Sequence, residues 1–378
     1  MNCKKLLTTS MILTSCILYA PHAFAAQPIK AQVSKSYTDI SRLIEYNNYE
    51  DADARLKEIL SKNPNDLDAK ALQLISQAKQ WKLAPTQAEL DRLIKKYPNN
   101  PTFHYAQGLV YLMRETSSDV EYIKNISNLS NAAIQEFVKA VELDSSYYQA
   151  YNAMGVATLK LGNRKDAQDL FKTAIKINPQ FAPAYDNLGN IAMLEGDLDQ
   201  AEKYYLQSIK YNSHNPTSMY HMGQVESRRG DYTKALTWLN HSLHINPNSS
   251  PGWNLQGELY LKQGNQPAAI NSFKKAIYVK PENSRPYINL AGVYERRSDH
   301  EFAMEELKTA IILNPNYKEG IYRVANMSLE TKKYPQALEY YSRLLGDATY
   351  NNNAIIGLAN TYYEMAKDTA NSNKFTTN

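Results

Sequence analysis

The stretch APAYDNLGNIAMLEGDLDQAEKYYLQSIKYN, from Ala182 to Asn212, decides the fold because its pattern returns at a fixed interval. After 34 residues the chain reads PTSMYHMGQVESRRGDYTKALTWLNHSLHIN, and after 34 more it reads SPGWNLQGELYLKQGNQPAAINSFKKAIYVK. The small, apolar and glycine positions recur, whereas the polar positions vary. From 148 to 351 the chain divides into six consecutive repeats of 34 residues without a gap. A period of this length indicates an array of repeats.

Three positions of the repeat define its packing. Position 8 is small, position 20 is alanine and position 24 is large and apolar. In order along the chain, position 8 is Gly155, Gly189, Gly223, Gly257, Ala291 and Ala325, and position 24 is Phe171, Tyr205, Leu239, Phe273, Leu307 and Tyr341. Positions 4, 7, 8 and 11 share one face of a first helix, and positions 20, 24 and 27 share one face of a second helix. Small residues at 8 and 20 allow the two helices to approach closely.

Glycine and proline mark the ends of these helices. Glycine occupies position 15 in four repeats, as Gly162, Gly196, Gly230 and Gly264, where a left-handed residue caps the first helix. Proline occupies position 32 in four repeats, as Pro179, Pro247, Pro281 and Pro315, and ends the second helix. The pattern therefore predicts a helix–turn–helix unit.

This pattern resembles the tetratricopeptide repeat (TPR) family, with its small residue at 8, alanine at 20 and proline at 32. The resemblance implies an all-α fold, a right-handed superhelical solenoid of stacked antiparallel helix pairs whose first helices line a concave groove. It is strong over 148–351. Upstream it predicts three divergent repeats over 33–147, with an insertion near 114–130 that forms either a longer loop or lengthened helices. Downstream it predicts a capping helix over 352–366 and a disordered tail over 367–378.

The first 26 residues have the layout of a secretory signal peptide. A basic start, MNCKK, precedes the mostly apolar LLTTSMILTSCILYA and a small-residue site around Ala25. Alternatively, Leu13-Thr14-Ser15-Cys16 resembles the lipobox of bacterial lipoproteins, which makes Cys16 a candidate lipidation site; an uncleaved anchor is a third possibility. We therefore expect an exported bacterial protein, placed in the periplasm, or alternatively an outer-membrane lipoprotein or a secreted protein.

Composition argues against several functions. The net charge is +4 and no dense Lys/Arg run occurs, so nucleic acid is not an expected partner. No segment after the leader is apolar enough to span a membrane. The sequence contains no HExxH, P-loop or GxSxG motif, so we predict a non-enzyme without cofactors. His241 and His244 could hold a metal only with further ligands, and we predict no metal site.

Candidate partner-binding residues lie at positions 5, 6 and 9 of the first helices, away from the packing stripe. They are Asn187, Asn190, His221, Gln224, Asn254, Asn289, Arg323 and Asn326, and Asn360 continues the series. Amide side chains both donate and accept, so such a row can bind an extended peptide whatever its sequence. Alternatively, these asparagines support hydrogen bonds between repeats. A carboxylate clamp of the kind known in some TPR domains is not expected, because Glu258 and Glu319 carry the wrong charge.

The sequence thus predicts a protein–protein interaction scaffold in the bacterial cell envelope that binds a protein or peptide in the groove. One alternative is a component of polysaccharide export or modification that contacts sugars through Tyr220 and Tyr322. Another is a lipid-anchored adaptor of pilus or peptidoglycan machinery.

Overall fold

The computed structural model of the chain describes residues 35–114 and 119–375. Those residues form nineteen α-helices and no strand, and most of the helices pack chiefly against a helix adjacent to them in the chain. The expected signal peptide over 1–26 and its Cys16 lie outside the described residues. Connections of a few residues between consecutive helices make each pair antiparallel.

The chain divides into two compact parts, an N-terminal half that ends at Asn215 and a C-terminal half that begins at Pro216. The helices of the N-terminal half are α1 (Lys35–Glu45), α2 (Tyr49–Lys62), α3 (Leu67–Lys79), α4 (Leu83–Lys96), α5 (Pro101–Met113), α6 (Asp119–Leu143), α7 (Tyr148–Lys160), α8 (Arg164–Ile177), α9 (Ala182–Glu195) and α10 (Leu198–Tyr211). Those of the C-terminal half are α11 (Pro216–Arg229), α12 (Tyr232–Ile245), α13 (Ser250–Lys262), α14 (Gln266–Val279), α15 (Ser284–Arg296), α16 (His300–Leu313), α17 (Lys318–Glu330), α18 (Tyr334–Ser342) and α19 (Asn351–Phe375).

The turn between the two helices of a repeat has a fixed chemistry. In the repeat 182–215, Gly196 adopts φ 80° and its N–H bonds to Met193 O, which closes the end of α9. The next residue, Asp197, accepts a hydrogen bond from Gln200 N at 3.0 Å and so caps the start of α10. The same two steps, a left-handed residue and then a polar cap, turn the chain back on itself.

Position 15 is left-handed even where glycine is absent. Ser298 and Lys332 stand there in the last two regular repeats with φ of 57° and 55°. Asn47 and Trp81, with φ of 60° and 63°, occupy the corresponding places in the stretches 33–66 and 67–100. Because a side chain at positive φ is strained, the helix pairing imposes this conformation at those four residues.

Positions 8 and 24 are coupled through the core. A Cβ atom added to Gly257 would lie 2.5 Å from the Phe273 ring, and one added to Gly189 would lie 2.5 Å from the Tyr205 ring. At Gly223, whose partner at position 24 is a leucine, an added Cβ would lie 3.3 Å from Ala235 O and 3.6 Å from Leu239 Cβ, so it would not overlap a ring. In the repeats 182–215 and 250–283 the aromatic ring at position 24 therefore occupies the space of a Cβ at position 8.

Two helices are longer than those of the regular repeats. Helix α6 has 25 residues against 14 in a second helix such as α8, so much of the predicted insertion lengthens a helix. Helix α19 also has 25 residues and extends to Phe375, which differs from the disordered tail predicted from 367 onward. Within this extension, Asp368 contacts the preceding repeat: Tyr334 Oη donates to its carboxylate at 2.7 Å and Lys332 Nζ lies 3.0 Å from it.

Candidate partner-binding site

Several of the predicted asparagines connect neighbouring repeats. Asn187 Nδ2 on α9 donates to Asn152 Oδ1 on α7 at 2.9 Å. In the C-terminal half, Asn289 Nδ2 on α15 donates to Asn254 Oδ1 on α13, also at 2.9 Å. Each bond runs from position 6 of one repeat to position 5 of the repeat before it. The asparagines at these positions therefore align consecutive first helices.

Asn254 belongs to a small polar network inside the packing. Its side chain is only 7% exposed and its Nδ2 donates to Glu258 Oε1 at 2.9 Å. The same carboxylate oxygen accepts from Asn289 Nδ2 at 3.0 Å. The sequence placed these residues on a face that packing does not need, and the structure corrects that placement, because the network satisfies buried polar atoms. Asn254 is not exposed to a partner.

Asn190 and Asn326, both at position 9, accept hydrogen bonds from the tyrosine at position 24 of their own repeat. Tyr205 Oη lies 2.8 Å from Asn190 Oδ1, and Tyr341 Oη lies 2.5 Å from Asn326 Oδ1. Burial raises the pKa of Tyr341 to about 12, so its hydroxyl stays a donor at neutral pH. These asparagines orient a core tyrosine, and they remain half-buried at the surface.

His221 and Gln224 lie close to Tyr220 on α11. Gln224 Nε2 donates to Tyr220 Oη at 3.0 Å, and the His221 and Tyr220 ring centroids are 5.5 Å apart. Burial lowers the pKa of His221 to about 4, because a charged imidazolium is poorly solvated there. His221 is therefore neutral at pH 7 and offers no positive charge to a ligand.

Arg323 on α17 makes contacts on three sides. Its Nε and Nη2 donate to the two carboxylate oxygens of Glu295 at 2.9 and 2.7 Å, and its Nη1 donates to Tyr317 Oη at 2.9 Å. This forked pairing fits the guanidinium geometry. The charge of Arg323 is thus compensated across a repeat boundary, which reduces its capacity to bind an anionic ligand.

A surface cleft of about 200 Å³ opens between α17 and α19 in the C-terminal half. Asn353 and Asn360, seven residues apart on α19, both project toward it and are both exposed. Tyr322 and Ile356 supply apolar surface, and Glu330 contributes a carboxylate whose side chain is 61% exposed. The lining residues are Tyr322, Asn326, Leu329, Glu330, Tyr341, Asn353, Ile356, Gly357 and Asn360.

This cleft contains one residue of the predicted site, Asn326, together with Asn360 from the same series. Asn353, Ile356 and Glu330 were not singled out from the sequence. A signal for two of them existed, because Asn353 and Ile356 occupy positions 2 and 5 of the repeat pattern that α19 continues. The remaining predicted residues lie elsewhere along the first helices and are not brought into the cleft.

The two tyrosines considered for sugar stacking are half-buried. The Tyr322 ring packs against Tyr341 and Tyr350, with centroids 6.2 and 5.5 Å away, and Tyr220 contacts Gln224.

Within 35–114 and 119–375 no three His, Cys, Asp or Glu side chains converge as metal ligands. None of the helices that the structure describes is both long and apolar enough to span a membrane.

Family comparisons identify the repeat. Two tetratricopeptide repeat models match, one over residues 180–248 and the other over 148–181 and 250–283. The chain therefore carries tetratricopeptide repeats, and the predicted fold of stacked helix pairs is confirmed. Folds of this kind are generally scaffolds for protein–protein interaction. No curated protein shows a significant match to the sequence.

Several solved structures are similar to parts of this chain. A chain from the crystal structure of the APC/C hetero-tetramer Cut9–Hcn1 is similar over 77% of this chain, with a TM-score of 0.66 and 19% identity. This chain spans 55% of that chain's length, and at such identity the likeness concerns the fold alone. Pseudomonas aeruginosa pilF matches 58% of this chain over 98% of its own, at 16% identity and a TM-score of 0.49. YrrB, described as a TPR protein with an unusual peptide-binding site, matches 52% of this chain over 97% of its own, at 20% identity and a TM-score of 0.39.

Proposed function

We propose that this protein is a non-catalytic adaptor that binds an extended peptide segment of a protein partner at the cleft between α17 and α19. The observation that carries the proposal is the pair of exposed amides, Asn353 and Asn360, beside the apolar surface of Tyr322 and Ile356. The general role of tetratricopeptide folds as interaction scaffolds supports it.

The chemistry of the cleft favours a peptide over a small molecule. A volume of about 200 Å³ is below the roughly 300–1,000 Å³ of common small-molecule pockets. It is sufficient for one apolar side chain of a partner, placed against Ile356. The carboxamides at either side can bond peptide N–H and C=O groups, because each amide offers donors and an acceptor. Glu330 at the rim disfavours an acidic residue next to that side chain.

The other predicted asparagines contribute indirectly. Asn289 and Asn254 fix the spacing of first helices, and Asn326 holds the Tyr341 ring that forms one wall of the cleft. A binding surface needs such support, because side chains that are positioned in advance lose less entropy when the partner binds.

We further propose that the adaptor acts in a bacterial cell envelope. This part of the proposal rests on the leader-like composition of residues 1–26 and on the lipobox-like sequence at Cys16. Labelling cells with a palmitate analogue tests the lipid anchor. Incorporation that is lost in Cys16→Ala supports a lipoprotein, whereas the absence of label in the wild type rejects it.

Selection from a display library of random 12-residue peptides tests the binding function. Enriched peptides are then measured by fluorescence anisotropy against the wild type, Asn360→Ala and Asn353→Ala. We expect each substitution to weaken binding about tenfold, because one or two peptide hydrogen bonds are lost. Asn271→Ala on α14 is the matched control, since Asn271 is exposed and does not line the cleft.

Two results would reject the cleft as the binding site. One is a library that yields no enriched peptide on the wild type. The other is equal binding by the wild type, both cleft variants and the control, which would move the binding surface to another part of the array.

A further inference from the structure

The terminal helix α19 has an apolar stripe that none of the described helices covers. Ile355 is 52% exposed and Tyr362 is 58% exposed, and Ala359 and Ala366 between and beyond them are exposed as well. The spacing 355, 359, 362, 366 follows a single helix face. It is separate from the buried face of α19, which includes Gly357 packed on Tyr341, and from the positions that line the cleft.

The same positions are covered in the regular repeats. Ile355, Ala359 and Tyr362 are positions 4, 8 and 11, the stripe that packs on the second helix of its own repeat. In the repeat 250–283 this contact brings Gly257 directly against Phe273. In α19 position 8 is exposed, so the stripe has the composition of a helix-packing surface without the helix that normally covers it.

Large and small side chains alternate along the stripe, so that it can pack against an antiparallel copy of itself with each large residue on a small one. Read from Ile355 to Ala366 it runs large, small, large, small, with spacings of four, three and four residues. The spacings are identical in the reverse direction. When two such stripes meet antiparallel, each large residue faces a small one, whereas parallel pairing would place Ile355 against Ile355.

We propose that α19 pairs with α19 of a second copy of this chain, antiparallel and about a two-fold axis. In this arrangement Ile355 packs on Ala366 of the second copy, and Ala359 receives Tyr362 of the second copy. The two-fold axis repeats both contacts, so four large-on-small contacts form the centre of the interface. The second copy takes the place that a second helix takes in the regular repeats.

Charge and area are consistent with this occupant. The segment 351–363 has no charged residue, and depletion of charge is characteristic of the core of an interface. The nearest charges, Glu364 and Lys367, already pair with each other at 3.2 Å. With Tyr363 and Met365 beside the stripe, the exposed apolar surface is on the order of 500 Å² per copy, which suits a modest dimer.

The molar mass of the protein purified from cells, measured by light scattering and sedimentation, tests the proposal. We expect a concentration-dependent dimer in the wild type and a monomer in Ala359→Glu, because the carboxylate would be buried against Tyr362 of the second copy. Ile312→Ala is the matched control, because Ile312 on α16 is 77% exposed and outside the stripe. It should dimerise as the wild type does.

A size exchange tests the register. Ile355→Ala leaves small facing small, and Ala366→Ile leaves large facing large, so each alone should weaken the dimer at least tenfold. The double variant places Ala at 355 opposite Ile at 366 of the second copy and should recover most of the wild-type dimerisation. Circular dichroism confirms that each variant is folded.

A wild type that stays monomeric up to about 100 μM overturns the proposal. So does a dimer that Ala359→Glu leaves intact, or a double variant weaker than both single variants. The stripe and the cleft lie on different faces of α19. Asn360→Ala should therefore weaken peptide binding without changing dimerisation, and Ala359→Glu should prevent dimerisation without changing peptide binding. Loss of one leaves the other proposal standing.

Discussion

The Asn289 side chain donates a hydrogen bond to Asn254 across a repeat boundary, and Asn187 makes the same bond to Asn152 in the N-terminal half, three repeats earlier. Both bonds are 2.9 Å long and join position 6 to position 5 of the preceding repeat. Asparagines at these positions therefore hold neighbouring repeats together. A test of ligand binding has to distinguish this structural role from direct contact with the ligand.

Asn289→Ala should destabilise the C-terminal half by about 1–3 kcal/mol, because the buried Asn254 Oδ1 loses its donor and Glu258 Oε1 keeps only the donor from Asn254. The urea midpoint followed by tryptophan fluorescence measures this, with Trp253 in the affected repeat. Asn271→Ala, on an exposed surface, should change the free energy of unfolding by less than about 0.5 kcal/mol. Equal midpoints for the two variants would show that the inter-repeat bond is unimportant.

The helices were predictable because they obey short-range rules. The residues that define the helices act within a single helix pair: alanine at position 20, proline at 32 and glycine at 15. Their pattern in one sequence is therefore enough to predict where the helices begin and end. Ser298 and Lys332 show the limit of that reasoning, since their positive φ follows from the pairing of helices and not from the residue type. The contact of Asp368 on α19 with Tyr334 is likewise between residues 34 positions apart, and no local pattern predicts it.

Gly257→Ala should destabilise the protein by about 1–3 kcal/mol, because the added Cβ would lie 2.5 Å from the Phe273 ring. Gly223→Ala is the matched test, since the added Cβ would meet only Ala235 O at 3.3 Å, a tight contact that the helix preference of alanine, about 1 kcal/mol, should offset. We expect its urea midpoint to stay close to that of the wild type. If both variants lost the same stability, the coupling of positions 8 and 24 would be incorrect.

The candidate site was less predictable than the fold. Position within the repeat identified Asn326 and Asn360, which both line the cleft. It could not show that Asn254 is buried or that Arg323 pairs with Glu295, because those facts depend on which side chain stands opposite in the neighbouring repeat. Groove positions thus indicate where a partner could bind, and the pairing across boundaries decides which residues remain available.

Stability should fall below neutral pH partly through His221. Its pKa is lowered from 6.5 to about 4 by burial, so between these values the unfolded chain binds a proton that the folded chain does not. The stabilising contribution is therefore complete above pH 6.5 and is lost as the pH falls toward 4. Between pH 7 and pH 5 this loss should amount to about 1–2 kcal/mol.

Urea midpoints at pH 7 and pH 5 measure that loss in the wild type and in His221→Gln. The variant should show a smaller difference between the two pH values than the wild type does. His214→Gln is the control, because His214 is exposed in the turn before α11. A control that matches His221→Gln would assign the pH dependence to other groups.

The pair Arg323–Glu295 should show strong energetic coupling across the boundary between the last two regular repeats. Both side chains are largely buried, at 20% and 28% exposure, and the pair is bidentate. Arg323→Gln alone leaves the largely buried Glu295 carboxylate without its cation, and Glu295→Gln alone leaves the guanidinium with only Tyr317. The double variant removes both charges together, so it should be more stable than the two single losses added. A double-mutant cycle in urea should give a coupling of about 1–3 kcal/mol. A coupling near zero would mean that the pair contributes little to the contact between repeats, and that Arg323 is available to a ligand after all.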